Sequence, residues 1–146
     1  MNRKIKSEDV EETLREELKK EGYTLSDPKK LGETGVDILA TKDKETFHIE
    51  TIGYKSKGSA RAKDFYEVFF RAVSRLNDGA THCVIALPNC FEEGLPARVK
   101  QHKIAWERIG KAFPELEIWL IDVDNKTYKR TKWINWVKNK SCDIPT

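Results

Sequence analysis

Two carboxylates, Asp37 and Glu50, sit in short apolar runs on either side of a polar turn, within the stretch GVDILATKDKETFHIETIGYKSK at 35–57. Hard oxygen donors of this kind suit Mg²⁺, with Mn²⁺ as a substitute, ions that bind through one or two carboxylates and keep several waters. A metal so held polarises a phosphoryl oxygen and lowers the pKa of a coordinated water, giving a nucleophile at neutral pH. A lysine nearby would orient that water or neutralise charge developing on phosphorus. Glu50 follows Ile49 in a run apolar enough to be half buried, where an acid without a partner is costly. Acids on adjacent strands are common, so the pair takes its meaning from its surroundings.

The elements that must position the pair can be read from periodicity. Val36, Ile38 and Ala40 alternate with Asp37, Leu39 and Thr41, which predicts a strand, and Lys42–Glu45 is a turn. Phe47, Ile49 and Thr51 alternate with His48, Glu50 and Ile52, which predicts a second strand ending at Gly53. Alternation puts His48, Glu50 and Ile52 on one face, and Asp37 joins them if the partner strand projects the same way. Upstream, Ser7 as a cap, acids at Glu8 and Asp9, and Val10, Leu14 and Leu18 at helical spacing predict a helix over 8–21, stopped by Gly22. Tyr23–Ser26 reads as a short strand and 27–34 as a loop.

Downstream, Ser59 caps a helix to Leu76 whose stripe includes Phe65, Val68, Phe69 and Ala72. A buried strand at Thr81–Leu87 follows, then one helix from Pro96 with Val99, His102, Trp106 and Ile109 on its stripe, then a strand at Leu116–Val123. From about residue 126 the chain is a basic, aromatic tail in which Tyr128, Trp133 and Trp136 close the sheet or form a dimer surface. The order α-β-β-β-α-β-α-β predicts one α/β domain over 1–146, with a mixed central sheet flanked by helices.

Composition narrows the class. The chain has 146 residues, 35% of them charged. No apolar run reaches the ~20 residues of a membrane span, and the N-terminus lacks a signal-peptide pattern, so a soluble cytoplasmic protein is expected. Cys83, Cys90 and Cys142 include no CxxC pair, which argues against a disulfide framework or structural zinc. The net charge of +3 is too small to demand a polyanion. Its distribution is more telling. Lys55, Lys57, Arg61 and Lys63 follow one another with no acid between, and a second acid-free run holds Lys126, Lys129, Arg130, Lys132, Lys138 and Lys140. Such runs are the footprint of a nucleic-acid binder or the solvated faces of an ordinary domain. Arg71 and Arg75, one turn apart with Glu67 a turn earlier, are either a phosphate-contacting ridge or a salt-bridged surface. His48 faces the carboxylates. His102 reads as a core histidine, and His82 beside Cys83 suggests no zinc site.

The ordered combination of these pieces resembles the PD-(D/E)XK nuclease superfamily, nearest to its Holliday-junction resolvase and Mrr-type branches. Glu11 precedes Gly22-Tyr23 at the family's spacing, Gly35-Val36-Asp37-Ile38 matches its G-x-D-[ILV] strand, and Ile49-Glu50-Thr51-Ile52-Gly53 matches its apolar-acid-x-Lys-Gly run except at the lysine. The helix at 59–76 is basic and aromatic as in the family, and about half the chain is covered. The resemblance implies a restriction-endonuclease-like core and Mg²⁺-dependent hydrolysis of DNA phosphodiesters, with RNA not excluded. It implies Asp37, Glu50 and the Thr51 carbonyl as metal ligands, and Glu11, with Glu12 adjacent, as a supporting acid. Ile52 has neither charge nor proton to donate, so the lysine must come from elsewhere. Lys55 is the first substitute and Lys57 the next, with Arg61 and Lys63 behind them. Lys55, Lys57, Arg61, Lys63 and Arg71 would contact the nucleic acid. Cleavage of two strands points to a homodimer. The alternative is a degenerate module that keeps the fold and binds DNA or a protein without cutting.

Overall fold

The computed structural model describes residues 4–138 of the chain. Lys140 and Cys142, named above, lie outside them. Acids in its first turn and Lys19 and Lys20 in its last complement the dipole of helix α1 (Ser7–Lys20). The N-cap is Lys6 rather than Ser7, which starts the helix and bonds to Glu8 instead. After a two-residue strand β1 (Thr24–Leu25) come β2 (Ile38–Lys42) and β3 (Glu45–Thr51), an antiparallel hairpin closed by the turn at Asp43-Lys44. Helix α2 (Gly58–Ser74) crosses over, a 3₁₀ turn follows at Arg75–Asp78, and β4 (His82–Pro88) returns parallel to β3.

The expected third helix is two. Helix α3 (Leu95–Gln101) stops at His102, whose φ of −119° and ψ of 35° are not helical, and α4 (Lys103–Ala112) restarts there. The apolar stripe continues across the break, so periodicity alone could not reveal it. His102 is accordingly not a core histidine. It is half-exposed, with Nε2 3.3 Å from the Tyr66 hydroxyl.

Strand β5 (Leu116–Asp122) lies parallel to β4, and β6 (Thr127–Lys132) pairs antiparallel with β5. The segment expected as a tail is therefore the sixth strand of the sheet, followed by a 3₁₀ turn at Ile134–Lys138. Its dense charge hides a single buried position. Thr131 is fully buried, giving its hydroxyl to Ile118 O at 2.6 Å and accepting Trp136 Nε1 at 2.7 Å.

The sheet order β1-β2-β3-β4-β5-β6 is thus a mixed sheet covered on both faces. On one face Val10, Leu14 and Leu18 of α1 pack on Phe47, Ile49 and Trp119. On the other, Phe65, Val68 and Ala72 of α2 pack with Ile85, Ile118 and the α4 residue Trp106. Trp106 and Trp133 stack at 3.8 Å, and each indole N–H donates to the other residue's carbonyl, which ties the last described turn to α4. The α/β class with helices on both sides of one mixed sheet stands as expected. Among the described residues, no helix is long and apolar enough to cross a membrane.

Candidate functional site

The β2–β3 register pairs Ile38 with Ile49, and one step further sets Asp37 opposite Glu50 at the open end of the hairpin. Facing residues of an antiparallel pair share a side of the sheet, and alternation along β3 makes it the side that α2 covers. Ile52, the next residue on that face, packs into the α2 core at 6% exposure. The position at which the resemblance expects a lysine is therefore filled by an apolar anchor.

Glu50 is 1% exposed. Burial pushes its carboxyl up to about 7 and the Asp37 charge adds to this, while Arg71, Arg75 and Lys29 pull the other way. Arg75 Nε lies 3.2 Å from Glu50 Oε2 and Arg71 Nε 3.8 Å from Oε1. Neither is aligned as a hydrogen bond, so Glu50 Oε2 and Arg75 Nε are both buried without a hydrogen-bond partner. Buried polar atoms are seldom left so.

Asp37 is better satisfied. Its Oδ2 accepts from Thr51 N at 2.9 Å and from the Thr51 hydroxyl at 3.3 Å. Its Oδ1 is 2.8 Å from Lys29 Nζ, which also donates to Gly35 O at 3.0 Å. Lys29 comes from the loop before β2. No spacing rule could single it out, because its reach depends on the path of that loop. Arg71 Nη2 donates to Thr51 O at 3.2 Å, and Arg75 Nη1 pairs with Asp78 at 2.9 Å, so both arginines face Glu50 and are held by partners within the fold.

The other sequence candidates lie around this centre. Glu11 does not meet the carboxylates directly. It holds Arg15 Nε at 2.8 Å, and Arg15 Nη2 donates to Asp37 O at 2.9 Å, so Glu11 fixes the backbone that carries Asp37. Lys55 pairs with Asp64 at 3.0 Å and Lys63 stands 3.9 Å from Glu67. Arg61 caps the carbonyls of Lys55 and Ser56 and covers the Tyr54 ring at 4.6 Å. Lys57 is exposed at the N-cap of α2. A cleft of about 300 Å³ runs beside Thr51, Ile52 and Gly53, walled by Lys6, Lys55 and Arg71 and by the acids Glu8, Asp64 and Glu67. His48 is 7% exposed on the Glu50 face, with Nδ1 unpartnered; burial, reinforced by Arg75, keeps its ring below the usual histidine range although Asp78 opposes this.

A second charged group lies at the other end of the strands and was not foreseen. His82 Nδ1 is 2.7 Å from Glu117 Oε2 and its Nε2 is 3.0 Å from Glu45 Oε2. Trp119 Nε1 and Arg130 Nη2 reach Glu117 Oε1 at 2.8 and 3.3 Å. Burial alone would raise Glu117, but hydrogen bonds from His82 and Trp119 and the Arg130 charge hold it below the usual range. Glu117 in an otherwise apolar run, LEIWLI, was the available signal. Both Glu117 oxygens and both His82 nitrogens have partners, and the group reads as structural.

Among the described residues, no three His, Cys, Asp or Glu side chains converge as a ready-made metal cage. The centre offers two carboxylates and one carbonyl, a set that fits Mg²⁺, which takes its remaining ligands from water and phosphate. Glu50 Oε2, beside Arg75 but without a hydrogen bond, fits the same reading. No family model, curated protein or solved structure matches this chain.

Proposed function

We propose that the protein is a Mg²⁺-dependent nuclease with a restriction-endonuclease-like core, cutting DNA phosphodiesters at the Asp37–Glu50 centre, in the cytoplasm and as a homodimer. The observation that carries the reading is the buried Glu50 carboxylate, opposite Asp37 and with an oxygen that no hydrogen bond reaches. The order of hairpin, crossover helix and parallel strand, β2-β3-α2-β4, also fits the resemblance noted above.

In this reading Asp37, Glu50 and the Thr51 carbonyl hold the ion. When bound, it would polarise the phosphoryl oxygen and supply an activated water. Lys29 takes the part first given to Lys55, since its ammonium already sits at Asp37 and carries the charge that Ile52 lacks. Glu11, through Arg15, keeps the Asp37 backbone in place. Arg71, at the cleft wall, turns from Thr51 O to a phosphate oxygen, for which its planar fork is suited. Lys55, Lys57, Arg61 and Lys63 steer the polyanion toward the cleft.

One observation favours the second reading, a nuclease-fold module that binds DNA or a protein without cutting. Lys29, Arg71 and Arg75 already supply three positive charges around two acids. The test is titration of Mn²⁺ and Mg²⁺ by calorimetry, with Asp37→Ala as control, followed by cleavage of labelled duplex and junction DNA. Binding that vanishes in the variant and metal-dependent cleavage support the nuclease. Absence of both, with DNA present, leaves the non-cleaving module.

A further inference from the structure

Beyond the carboxylate centre, α2 carries a second set of features on its other flank. Tyr66 and Phe70, one turn apart, are 48% and 69% exposed, and such large side chains on a helix flank are unusual without a partner. Beside them a pocket of about 200 Å³ opens between α2 and α4, walled by Phe65, Phe69, Trp106 and Trp133. That is below the ~300–1,000 Å³ of sites for drug-sized ligands, so its occupant is a single small ring system.

The walls are ordered in a particular way. Trp106 and Trp133 are stacked within 10° of parallel, and the Phe65 ring lies within 15° and 20° of them. Those three rings are themselves buried and the Arg98 guanidinium covers Phe65 at 5.0 Å, so an entering flat ring lies against the more open Tyr66 and Phe69 at the mouth. The polar groups gather at the exposed side, where the Tyr66 hydroxyl accepts from Arg98 Nη1 at 3.1 Å and lies 3.3 Å from His102 Nε2. Apolar faces with a few convergent donors and acceptors at one edge match a heterocycle that is apolar on its faces and polar at its rim. A hydrocarbon side chain would leave that polar edge unused.

A run of basic residues, with Asp64 paired to Lys55 along it, joins this pocket to the cleft beside the carboxylate centre. Arg98 also lines a neighbouring depression with Arg61, Tyr54 and Gly58, the first residue of α2. Arg61 in turn donates to the Lys55 carbonyl, and Lys55 and Arg71 wall the cleft beside Thr51. The first turn of α2 contains no acid, and its N-cap has no side-chain bond. Its N–H groups and dipole therefore add to the attraction for phosphate along the same route. Positive charge with interleaved aromatic rings is the way proteins hold single strands.

We propose that the aromatic pocket beside Tyr66 seats one unstacked base of a single nucleic-acid strand whose backbone passes over Arg98, Arg61 and Lys55 toward the carboxylate pair. The direction of the strand rests on the nuclease reading of that pair; the pocket itself does not. The preferred substrate is then a strand with unpaired bases, such as a flap, loop or end, rather than a continuous duplex.

The test is equilibrium binding in EDTA, where metal-dependent cleavage is silent. The probes are a fluorescein-labelled single-stranded oligodeoxynucleotide, the same strand with abasic sites, its duplex and its RNA counterpart. Anisotropy gives affinity, and quenching of tryptophan emission reports entry beside Trp106 and Trp133. The intact strand should bind about tenfold tighter than the abasic one and tighter than the duplex, with quenching by the intact strand only. Tyr66→Ala and Arg98→Ala alter surface side chains and should bring the intact strand down to the abasic level. The RNA arm identifies the sugar. Equal affinity for intact and abasic strands, or discrimination that survives Tyr66→Ala, overturns the proposal, as does a change in oligomeric state as the only effect of these variants. Base-dependent binding without cleavage in Mg²⁺ would remove the nuclease reading and leave the pocket standing. Cleavage without base discrimination would do the reverse.

Discussion

The Lys29 ammonium stands 2.8 Å from Asp37 Oδ1 although eight positions of chain, including a loop, separate the two residues. A lysine delivered by that loop thus lies against the acid that a same-strand lysine would otherwise serve. Lys29→Ala should reduce Mg²⁺-dependent cleavage about a hundredfold, the usual loss when one charge-stabilising donor is removed. Lys55→Ala should leave the chemical step within a few-fold and mainly weaken DNA binding, because Lys55 is engaged by Asp64. Single-turnover rates at saturating protein separate the two effects. The reverse ranking would return the role to Lys55.

Glu50 links function to stability. A buried acid whose folded pKa is raised from 4.5 to about 7 disfavours folding wherever the unfolded chain is ionised. The cost begins above pH 4.5, grows until about pH 7, and then stays constant. Glu50→Gln should therefore raise stability at pH 8, by an amount bounded at the order of 3 kcal/mol, and change it little at pH 4.5. The same variant should lose metal binding. Thermal melts against pH check the first claim, and a variant less stable than the parent at pH 8 would refute it.

The His82–Glu117 group should produce an opposite profile. His82 is raised, chiefly by its hydrogen bond to Glu117, so its contribution is complete below pH 6.5 and is lost as pH climbs through the folded value. Glu117 is lowered, so its contribution is present above pH 4.5 and is lost as pH falls. The stability gap between the parent and His82→Ala should be widest from about pH 4.5 to 6.5. Since the variant strips a partner from a carboxylate that is 2% exposed, the gap should reach ~2–4 kcal/mol in urea titrations. A gap unchanged from pH 5 to pH 8 would contradict this.

Gly53 is a packing requirement. A Cβ there would collide with Ile5 O and lie 2.8 Å from Ser7 N, because the chain before α1 crosses the end of β3 through the Ile5–Tyr54 bridge. Gly53→Ala should lower stability by ~1–3 kcal/mol and weaken DNA binding by displacing the Lys6 wall of the cleft. Denaturant titration and anisotropy measure both. Unchanged values in each would show that the crossing has slack.

The hairpin and the two central parallel strands were legible because their patterns are local: strict alternation in β2 and β3, continuous apolar runs in β4 and β5. The pairing of Asp37 with Glu50 could be expected from the same alternation. Three features were not legible, for separate reasons. Lys29 reaches the site through a loop path that no periodicity encodes. The break at His102 leaves the apolar stripe intact. In β6, four basic or polar side chains in TYKRTK obscure the buried Thr131, which only pairing with β5 explains.

Strand β6 is the last in the sheet order, bonded to β5 alone. An outermost strand exposes unpaired N–H and C=O groups, a template onto which another chain can add. Lys132 stands exposed on that border, a residue type that deters strand addition, while Lys129 and Arg130 are drawn to Glu92 and Glu117. Part of the charge run that looked like a polyanion footprint is thus spent on ion pairs that fasten the outermost strand to the rest of the fold.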